Sequence, residues 1–243
     1  MDLKAIVLAA GKGTRLRTEG CDLPKVMRQA LGKPLLQYVL DELDFIDKKD
    51  IILVVGYKKE EILSVYGDYE YAVQQHQLGT GDAVKACEDK LRDFDGAVLV
   101  CCGDTPLIKK ESYKDLFDTF TREGSDCTIL SGLIDEPGSY GRIIRDQNGD
   151  FLRITEAKDC TEEEYKINEV NSGLYIFSSK KLFDTLKRIK NENAQGEYYL
   201  TDVSELILKD GGKVSICCRE LGNELIGVNT MEQLKEVEDI LRG

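Results

Sequence analysis

A glycine-rich turn near the N-terminus, "LAAGKGTRL" at residues 8–16, has side chains suited to binding phosphate. It follows the apolar run "KAIV", which we interpret as a first strand. Gly11 and Gly13 allow backbone N–H groups to approach phosphate oxygens, and Arg15 supplies a positive charge. The turn lacks the spacing of a Walker A loop and the third glycine of a dinucleotide-binding fingerprint. A purely structural turn therefore stays open as the alternative.

Two further segments add a cation and a carboxylate. In "DLPKVM", residues 22–27, Pro24 restricts the backbone just before Lys25, so the lysine is held in place. In "CCGDTPLI", residues 101–108, Asp104 follows an apolar run, at the sheet edge where open α/β folds bind ligands. One carboxylate together with substrate phosphates is a typical Mg²⁺ site. The alternatives are an exposed lysine at a helix start and an aspartate that caps a turn.

The elements that must position these residues alternate between strand and helix. Buried, β-branched runs such as "DIILVVGY" and "GAVLVCCGD" predict parallel strands covered on both faces. Amphipathic patterns predict helices at "PLLQYVLDELDF", "GDAVKACEDKLRDF" and "KESYKDLFDTFTRE". We further predict strands at "YEYAVQQ" and "CTILSGLI". This order favours an α/β fold with a mostly parallel central sheet and helices on both faces.

The second half of the chain has a different pattern. Asn148–Gly149 separates two alternating runs in "GRIIRDQNGDFLRITEA", which predicts a small β-hairpin insertion. Strands follow at "NSGLYIFSS" and "KVSICCRE", and helices at "KKLFDTLKRIK", "YLTDVSELILKD" and "TMEQLKEVEDILR". We expect one domain over residues 1–243, with a nucleotide-binding half to about residue 130 and a sugar-binding half over about 131–243.

Composition narrows the classes of function. The net charge of −12 disfavours a nucleic-acid partner, and no apolar run is long enough to span a membrane. Seven cations against three acids in residues 1–33 indicate a small anionic ligand there, with chance clustering as the alternative. The single histidine, His76, disfavours a zinc site or a Ser-His-Asp triad. The eight cysteines include no C-x-x-C pair, and we interpret them as small buried residues of a cytoplasmic protein.

Eight segments together resemble a known family. "LAAGKGTRL…LPKVM", "QQHQLGTGDAV", "CCGDTPLI", "GSYGRII", "ITEAKD", "EVNSGLYIF", "NAQGEYYLTDV" and "GVN" occur in the order and spacing of bacterial N-acetylglucosamine-1-phosphate uridyltransferase, in its pyrophosphorylase domain. That family belongs to the sugar nucleotidyltransferases, and the resemblance covers nearly the whole chain. It implies a Rossmann-like fold of the glycosyltransferase-A type. It also implies that UTP and N-acetylglucosamine 1-phosphate are converted to UDP-N-acetylglucosamine and pyrophosphate with Mg²⁺.

The resemblance also implies roles for individual residues. The catalytic cations would be Arg15 and Lys25, and the Mg²⁺ ligands would be Asp104 and Asn229. The nucleotide would bind to Leu8, Ala9, Ala10, Gly11, Gly13, Thr14, Gln74, Gly79, Thr80 and Gly103, with Gln74, Gly79 and Thr80 at the uracil. The amino sugar would bind to Gly141, Glu156, Asn171, Glu197, Tyr198 and Thr201. We give His76 no chemical role, and the oligomeric state is left open.

Three features differ from the family pattern. The loop "RLRTEGCDLPK", around Gly20, is a few residues longer, and Cys102 replaces the usual tyrosine before Gly103. The chain ends at Gly243, so we expect neither the acetyltransferase activity nor the trimer of the bifunctional enzymes. Two alternatives therefore remain: a nucleotidyltransferase for another sugar 1-phosphate or nucleotide, and a non-catalytic subunit that binds sugar nucleotides.

Overall fold

A central nine-stranded sheet runs through the chain in the computed structural model, which describes residues 1–16 and 22–243. The strands are β1 (Leu3–Leu8), β2 (Gln29–Ala30), β3 (Lys33–Pro34), β4 (Ile51–Val55), β5 (Glu70–Val73), β6 (Ala97–Cys102), β7 (Cys127–Leu133), β8 (Arg142–Arg145), β9 (Phe151–Thr155), β10 (Glu169–Ser178) and β11 (Val214–Arg219). The sheet order is β11-β7-β10-β6-β1-β4-β5, and the hairpin β8-β9 joins it through β10. Strands β2 and β3 form a separate pair.

Eight helices flank the sheet in the described ranges. They are α1 (Leu35–Glu42), α2 (Lys59–Tyr66), α3 (Thr80–Lys85), α4 (Glu88–Leu91), α5 (Lys110–Glu123), α6 (Ser179–Leu186), α7 (Thr201–Lys209) and α8 (Met231–Arg242). Short 3₁₀ turns cover Thr14–Leu16, Lys25–Met27, Lys48–Asp50, Glu164–Lys166 and Gly222–Leu225. In this part of the chain, no helix combines the length and apolar character that a bilayer crossing requires.

Alternating side chains of the central strands fill two cores, one on each face of the sheet. In β1, Ala5 and Val7 face the core under α1, α2 and α5, whereas Ile6 faces the core under α3, α4, α6 and α7. This packing agrees with the sequence-based prediction that helices cover both faces of the sheet. The sheet is parallel across β6-β1-β4-β5 and β11-β7, but β10 runs antiparallel to both β6 and β7.

The carboxyl ends of the parallel strands meet at one edge of the sheet. The Ala9 N–H donates to the Val54 carbonyl at 2.8 Å, and the Gly103 N–H donates to the Leu8 carbonyl at 2.9 Å. Because β10 runs in the opposite direction, its first residues reach the same edge. The segments that follow β1, β5 and β6 and the start of β10 therefore lie along the same edge of the sheet, and this arrangement positions the site.

The fold class predicted from the sequence is confirmed, whereas two local predictions are wrong and three elements were missed. The single helix predicted over residues 81–94 is instead two short helices, α3 and α4, because the chain turns at Cys87. Helix α2 and the two-residue strands β2 and β3 were not predicted. Cys218 is exposed on the edge strand β11, whereas its neighbour Cys217 is buried on the opposite face.

Candidate active site

A cleft of about 240 Å³ lies at the carboxyl edge of the sheet. Nine residues predicted from the sequence line it: Leu8, Ala10, Gly11, Lys25, Gln74, Gly79, Thr80, Asp104 and Glu197. Val26, Gln77, Ala83 and Cys102 complete the wall. Segments from five separate parts of the chain thus form one concave surface, as expected for a ligand site in an open α/β sheet.

Four polar side chains converge at one end of this cleft. The Lys25 ammonium forms an ion pair with the Asp104 carboxylate and donates to Asn229 Oδ1 at 2.7 Å. The Arg15 guanidinium reaches the same Asn229 oxygen at 3.5 Å. The side chains of Lys25 and Asp104 are only 15% and 18% exposed, so water screens their interaction weakly. The arrangement is a group of two cations, one carboxylate and one amide, in which Arg15 is exposed and Lys25 and Asp104 are largely buried.

Buried neighbours hold Lys25 in this position. It begins the 3₁₀ turn Lys25–Met27, whose other two side chains, Val26 and Met27, are buried in the core. Gly13 packs directly against it, because a Cβ on Gly13 would lie 2.7 Å from Lys25 Cβ. Gly13 also has φ +60°, which a residue with a side chain adopts only at a cost. Gly13 is therefore needed for close packing of the glycine-rich turn against the lysine.

Asn229 is fixed by the start of the last helix. Its backbone N–H donates to Gln233 Oε1 at 2.8 Å, and the following residue, Thr230, caps α8 together with Gln233. On its other side, the Val228 N–H donates to the Asp104 carbonyl at 2.9 Å. This backbone contact between Asp104 and the residue before Asn229 places the Asp104 and Asn229 side chains together, although they are far apart in the sequence.

The opposite end of the cleft is built on Gln74 and the start of α3. Gln74 is buried, and its amide nitrogen donates to the Gly79 carbonyl at 3.0 Å and to Asp82 at 2.8 Å. Gly79 has φ +118°, and a Cβ there would lie 2.6 Å from the Tyr198 carbonyl. The Thr80 hydroxyl accepts from the Leu200 N–H at 3.0 Å. Nucleotide-half and sugar-half segments therefore share this wall of the cleft.

The residues predicted to hold the sugar form a second group beside the cleft. The Thr201 hydroxyl donates to Glu156 at 3.2 Å, and the Asn171 N–H donates to the Gly141 carbonyl at 2.9 Å. A Cβ on Gly141 would lie 3.5 Å from Glu156 Oε2. Burial raises the pKa of Glu156, while the hydrogen bond from Thr201 opposes that shift. Gly141, Glu156, Asn171 and Thr201 are thus neighbours in the structure.

Cys102 lies between the charged group and the sugar-half group. Burial and then the Asp104 carboxylate raise the pKa of Cys102 to about 12, and Glu156 adds to the shift. The thiol is therefore protonated at neutral pH and is a poor nucleophile. Its small side chain forms part of the cleft wall.

Other predicted residues have different surroundings. The buried Ala9 and Gly103 support the cleft through backbone hydrogen bonds, and Thr14 is exposed. Tyr198 does not line the cleft but a surface groove beside Leu186 and Ile189, and its backbone lies against the Gly79 turn.

Sequence reasoning did not single out Tyr199 or Gln77. Tyr199 is buried and lines a groove together with Glu156, and its hydroxyl donates to Asp159 at 3.2 Å. Gln77 lines the cleft. Both residues lie in segments that resemble the family, Gln77 in "QQHQLGTGDAV" and Tyr199 in "NAQGEYYLTDV", and membership of these segments was the available signal.

Only some of the cations in residues 1–33 lie at the cleft. Lys4 pairs with Asp50 at 3.1 Å, Lys33 pairs with Asp41, and the Arg28 side chain donates to the Leu16 carbonyl. His76 is exposed and lies in a separate surface groove. Residues 17–21, the middle of the longer loop around Gly20, lie outside the described residues.

Comparison with known proteins identifies the class to which this fold and cleft belong. The nucleotidyl transferase family matches residues 4–222, so the chain belongs to that family. Among similar curated proteins, the bifunctional protein GlmU of Caldanaerobacter subterraneus is 43% identical over 99% of this chain and 52% of that protein. GlmU of Staphylococcus epidermidis is 42% identical over 100% of this chain and 53% of its own length. The chain thus spans about half the length of these relatives.

A solved structure described as a glucose-1-phosphate thymidylyltransferase of Bacillus anthracis superposes with a TM-score of 0.80. The alignment covers 99% of this chain and 96% of that one at 23% sequence identity. At this identity the likeness shows a shared fold.

Proposed function

We propose that this chain transfers a uridylyl group from UTP to N-acetylglucosamine 1-phosphate, giving UDP-N-acetylglucosamine and pyrophosphate. The eight segments that resemble the uridyltransferase family supply the choice of substrates. The observation that carries the proposal is the group formed by Arg15, Lys25, Asp104 and Asn229 at the end of the cleft. It provides fixed charge for a reaction between two anionic substrates.

The same group supports Mg²⁺ as the cofactor. Asp104 and Asn229 both direct a side-chain oxygen at the Lys25 ammonium, so these two oxygens already converge on one positive charge. Carboxylate and amide oxygens are the donors that Mg²⁺ prefers, and one or two of them with substrate phosphates complete its usual shell. In the described part of the chain, there is no group of three or more acidic, cysteine or histidine side chains that could hold a metal ion. Asp104 and Asn229 are therefore the proposed ligands.

The proposed reaction needs position and charge more than proton transfer. A phosphate oxygen of the sugar phosphate attacks the α-phosphorus of UTP in line, the bond to the bridging oxygen breaks, and pyrophosphate leaves. Arg15 and Lys25 hold the two anions together and offset the charge that grows on the leaving group. Bound Mg²⁺ supplies further positive charge to the phosphate oxygens. The single histidine is not required.

Substrate selection is assigned to the two remaining groups of residues. The backbone of residues 8–14, with Gly11 and Gly13, would surround the phosphates. The Gln74 amide nitrogen donates both hydrogen bonds of this side chain, and its amide oxygen would accept from a uracil N–H. Glu156, Asn171 and Thr201 would hydrogen-bond the sugar, and such contacts discriminate because an analogue lacking the group leaves them unpaired.

The proposal places the enzyme in the cytoplasm, where thiols stay reduced. The seven cysteines in the described ranges are all free thiols. The proposed partners of the enzyme are its two small-molecule substrates, UTP and N-acetylglucosamine 1-phosphate.

The test is pyrophosphate release with Mg²⁺ across four nucleoside triphosphates and several sugar 1-phosphates. We expect turnover with UTP and N-acetylglucosamine 1-phosphate, reduced about 100- to 1,000-fold in Asp104→Asn. The matched control is Asp118→Asn, an exposed aspartate on α5, which should leave the rate unchanged. Turnover with another pair of substrates would move the substrate assignment. Binding of UDP-N-acetylglucosamine without any turnover would favour a non-catalytic subunit.

A further inference from the structure

Arg142 is a fully buried arginine outside the groups described above. Its exposed fraction is 0%, and it is among the largest completely buried side chains. In residues 1–16 and 22–243, no carboxylate lies within ion-pair distance of its guanidinium. Burying a charge is costly unless strong hydrogen bonds compensate, so a buried arginine of this kind requires a structural explanation.

Backbone carbonyl groups take the place of a counter-ion. The guanidinium donates to the Tyr140 carbonyl, to the Gly138 carbonyl at 3.1 Å and to the Tyr165 carbonyl at 3.2 Å. The Tyr165 ring covers one face of the group, with its centroid 4.6 Å from Arg142 Cζ. One planar side chain therefore joins the turn before β8 to the 3₁₀ turn before β10. Lysine, with a single nitrogen, cannot reproduce this fork.

The strand register places Arg142 beside three residues of the sugar half. Gly141 precedes it in the chain. Across the sheet it pairs with Thr155 of β9, which precedes Glu156, and with Val170 of β10, which precedes Asn171. Arg142 is thus adjacent to Gly141 in the chain, and it pairs with the residues that directly precede Glu156 and Asn171.

We propose that Arg142 is a positioning residue that aligns Gly141, Glu156 and Asn171 for the sugar phosphate. It does so by clamping the two turns from which β8 and β10 begin. This inference rests on the proposed function, because that proposal assigns the sugar to these three residues. The nucleotide end of the cleft, at Gln74 and Gly79, has no contact with the clamp.

The experiment compares Arg142→Met and Arg142→Lys with the matched control Arg145→Met. Arg145 lies on the same strand but is partly exposed and pairs with Glu169 at 2.7 Å. We expect Arg142→Met to raise KM for the sugar phosphate about tenfold or more, with KM for UTP within about twofold of wild type. Arg142→Lys should give a smaller rise, and Arg145→Met none.

Three other outcomes of this comparison would contradict a positioning role for Arg142. Equal rises in both KM values, or a lower melting temperature with unchanged KM values, would overturn the positioning role. Failure of both Arg142 variants to fold would also overturn it, because the residue would then support the whole fold.

The proposed function is judged separately, on the wild-type protein. If that protein is inactive with UTP and N-acetylglucosamine 1-phosphate, the same comparison is made with the sugar phosphate that is turned over. If no sugar phosphate is turned over, calorimetric affinities for UTP and UDP-N-acetylglucosamine replace KM.

Discussion

At the scale of single residues, Lys25 stabilises the charged group of the cleft and is also proposed to bind phosphate. Its ammonium touches both Asp104 and Asn229, so the carboxylate has a partner even without a bound ion. The group is only partly exposed, and an unpaired charge there would be destabilising. The lysine therefore stabilises the same arrangement that is proposed to bind phosphate.

Asp202 gives a pH-dependent prediction at the residue scale. Burial, with Glu205 and Asp159 nearby, raises the pKa of Asp202 to about 6. A carboxyl whose pKa is higher in the folded protein binds its proton more tightly there, so it lowers stability as pH rises through about 6. We expect the stability of Asp202→Asn relative to wild type to increase by about 1 kcal/mol between pH 5 and pH 8. This figure is reduced because Asp202 is partly exposed.

Urea unfolding of both proteins at the two pH values measures this difference. Asp118→Asn, which makes the same substitution at an exposed side chain, serves as the control. An Asp202→Asn difference that is the same at pH 5 and pH 8 would contradict the prediction.

Residue identities could be predicted where a local pattern marks them. Asp104 ends a buried apolar run, so its place at the sheet edge follows from the sequence. Asn229 has no such pattern and was predicted only from the family resemblance, because its position depends on the long-range hydrogen bond from the preceding residue, Val228, to the Asp104 carbonyl. Tyr198 and Tyr199 are adjacent in sequence, and only the packing of the chain decides that the first faces a groove and the second approaches Glu156.

At the scale of elements, the residues that cap the start of α8 also position Asn229. Gln233 and Thr230 form a reciprocal capping box, but only Gln233 also accepts the Asn229 N–H. We expect Gln233→Ala and Thr230→Ala each to lose about 1 kcal/mol of stability. Only Gln233→Ala should raise, several-fold, the Mg²⁺ concentration that gives half of the maximal rate.

The measurement is thermal unfolding of both variants together with a Mg²⁺ titration of pyrophosphate release. An equal change in Mg²⁺ requirement for the two variants would show that helix stability, and not the contact with Asn229, controls the metal site.

Elements with a strong periodic pattern were predicted well. Helix α5 spans Lys110–Glu123, as its amphipathic pattern predicted. Helix α2 was missed because only Ile62 and Tyr66 of its eight residues are buried, which leaves a weak pattern. The antiparallel place of β10 between β6 and β7 depends on long-range pairing, which local sequence does not encode.

At the scale of the whole molecule, we propose that the chain is one domain. The nine-stranded sheet includes strands from both halves, and β10 of the sugar half pairs directly with β6 of the nucleotide half. The Gly79 turn also packs against the backbone of Tyr198. Separation of the halves would expose strand edges and both faces of the sheet.

We therefore expect a single cooperative thermal transition. Calorimetry should give an unfolding enthalpy of about 170 kcal/mol near 60 °C, equal to the van't Hoff value. UTP should shift the entire transition to higher temperature. Two transitions, of which only one moves with UTP, would show that the halves unfold independently. The protein has 11 tyrosines and no tryptophan, so tyrosine circular dichroism provides the second probe.

The sheet order has a consequence for protein synthesis. β10 lies between β6 and β7, although both of those strands leave the ribosome before it. Until residues 169–178 emerge, one edge of β6 and both edges of β7 are unpaired, because β11 is made later still, and these edges must not join each other. Unpaired edges invite association with other chains. The interval between translation of β7 and of β10 is therefore the period in which this protein is most exposed to misfolding and to chaperone binding.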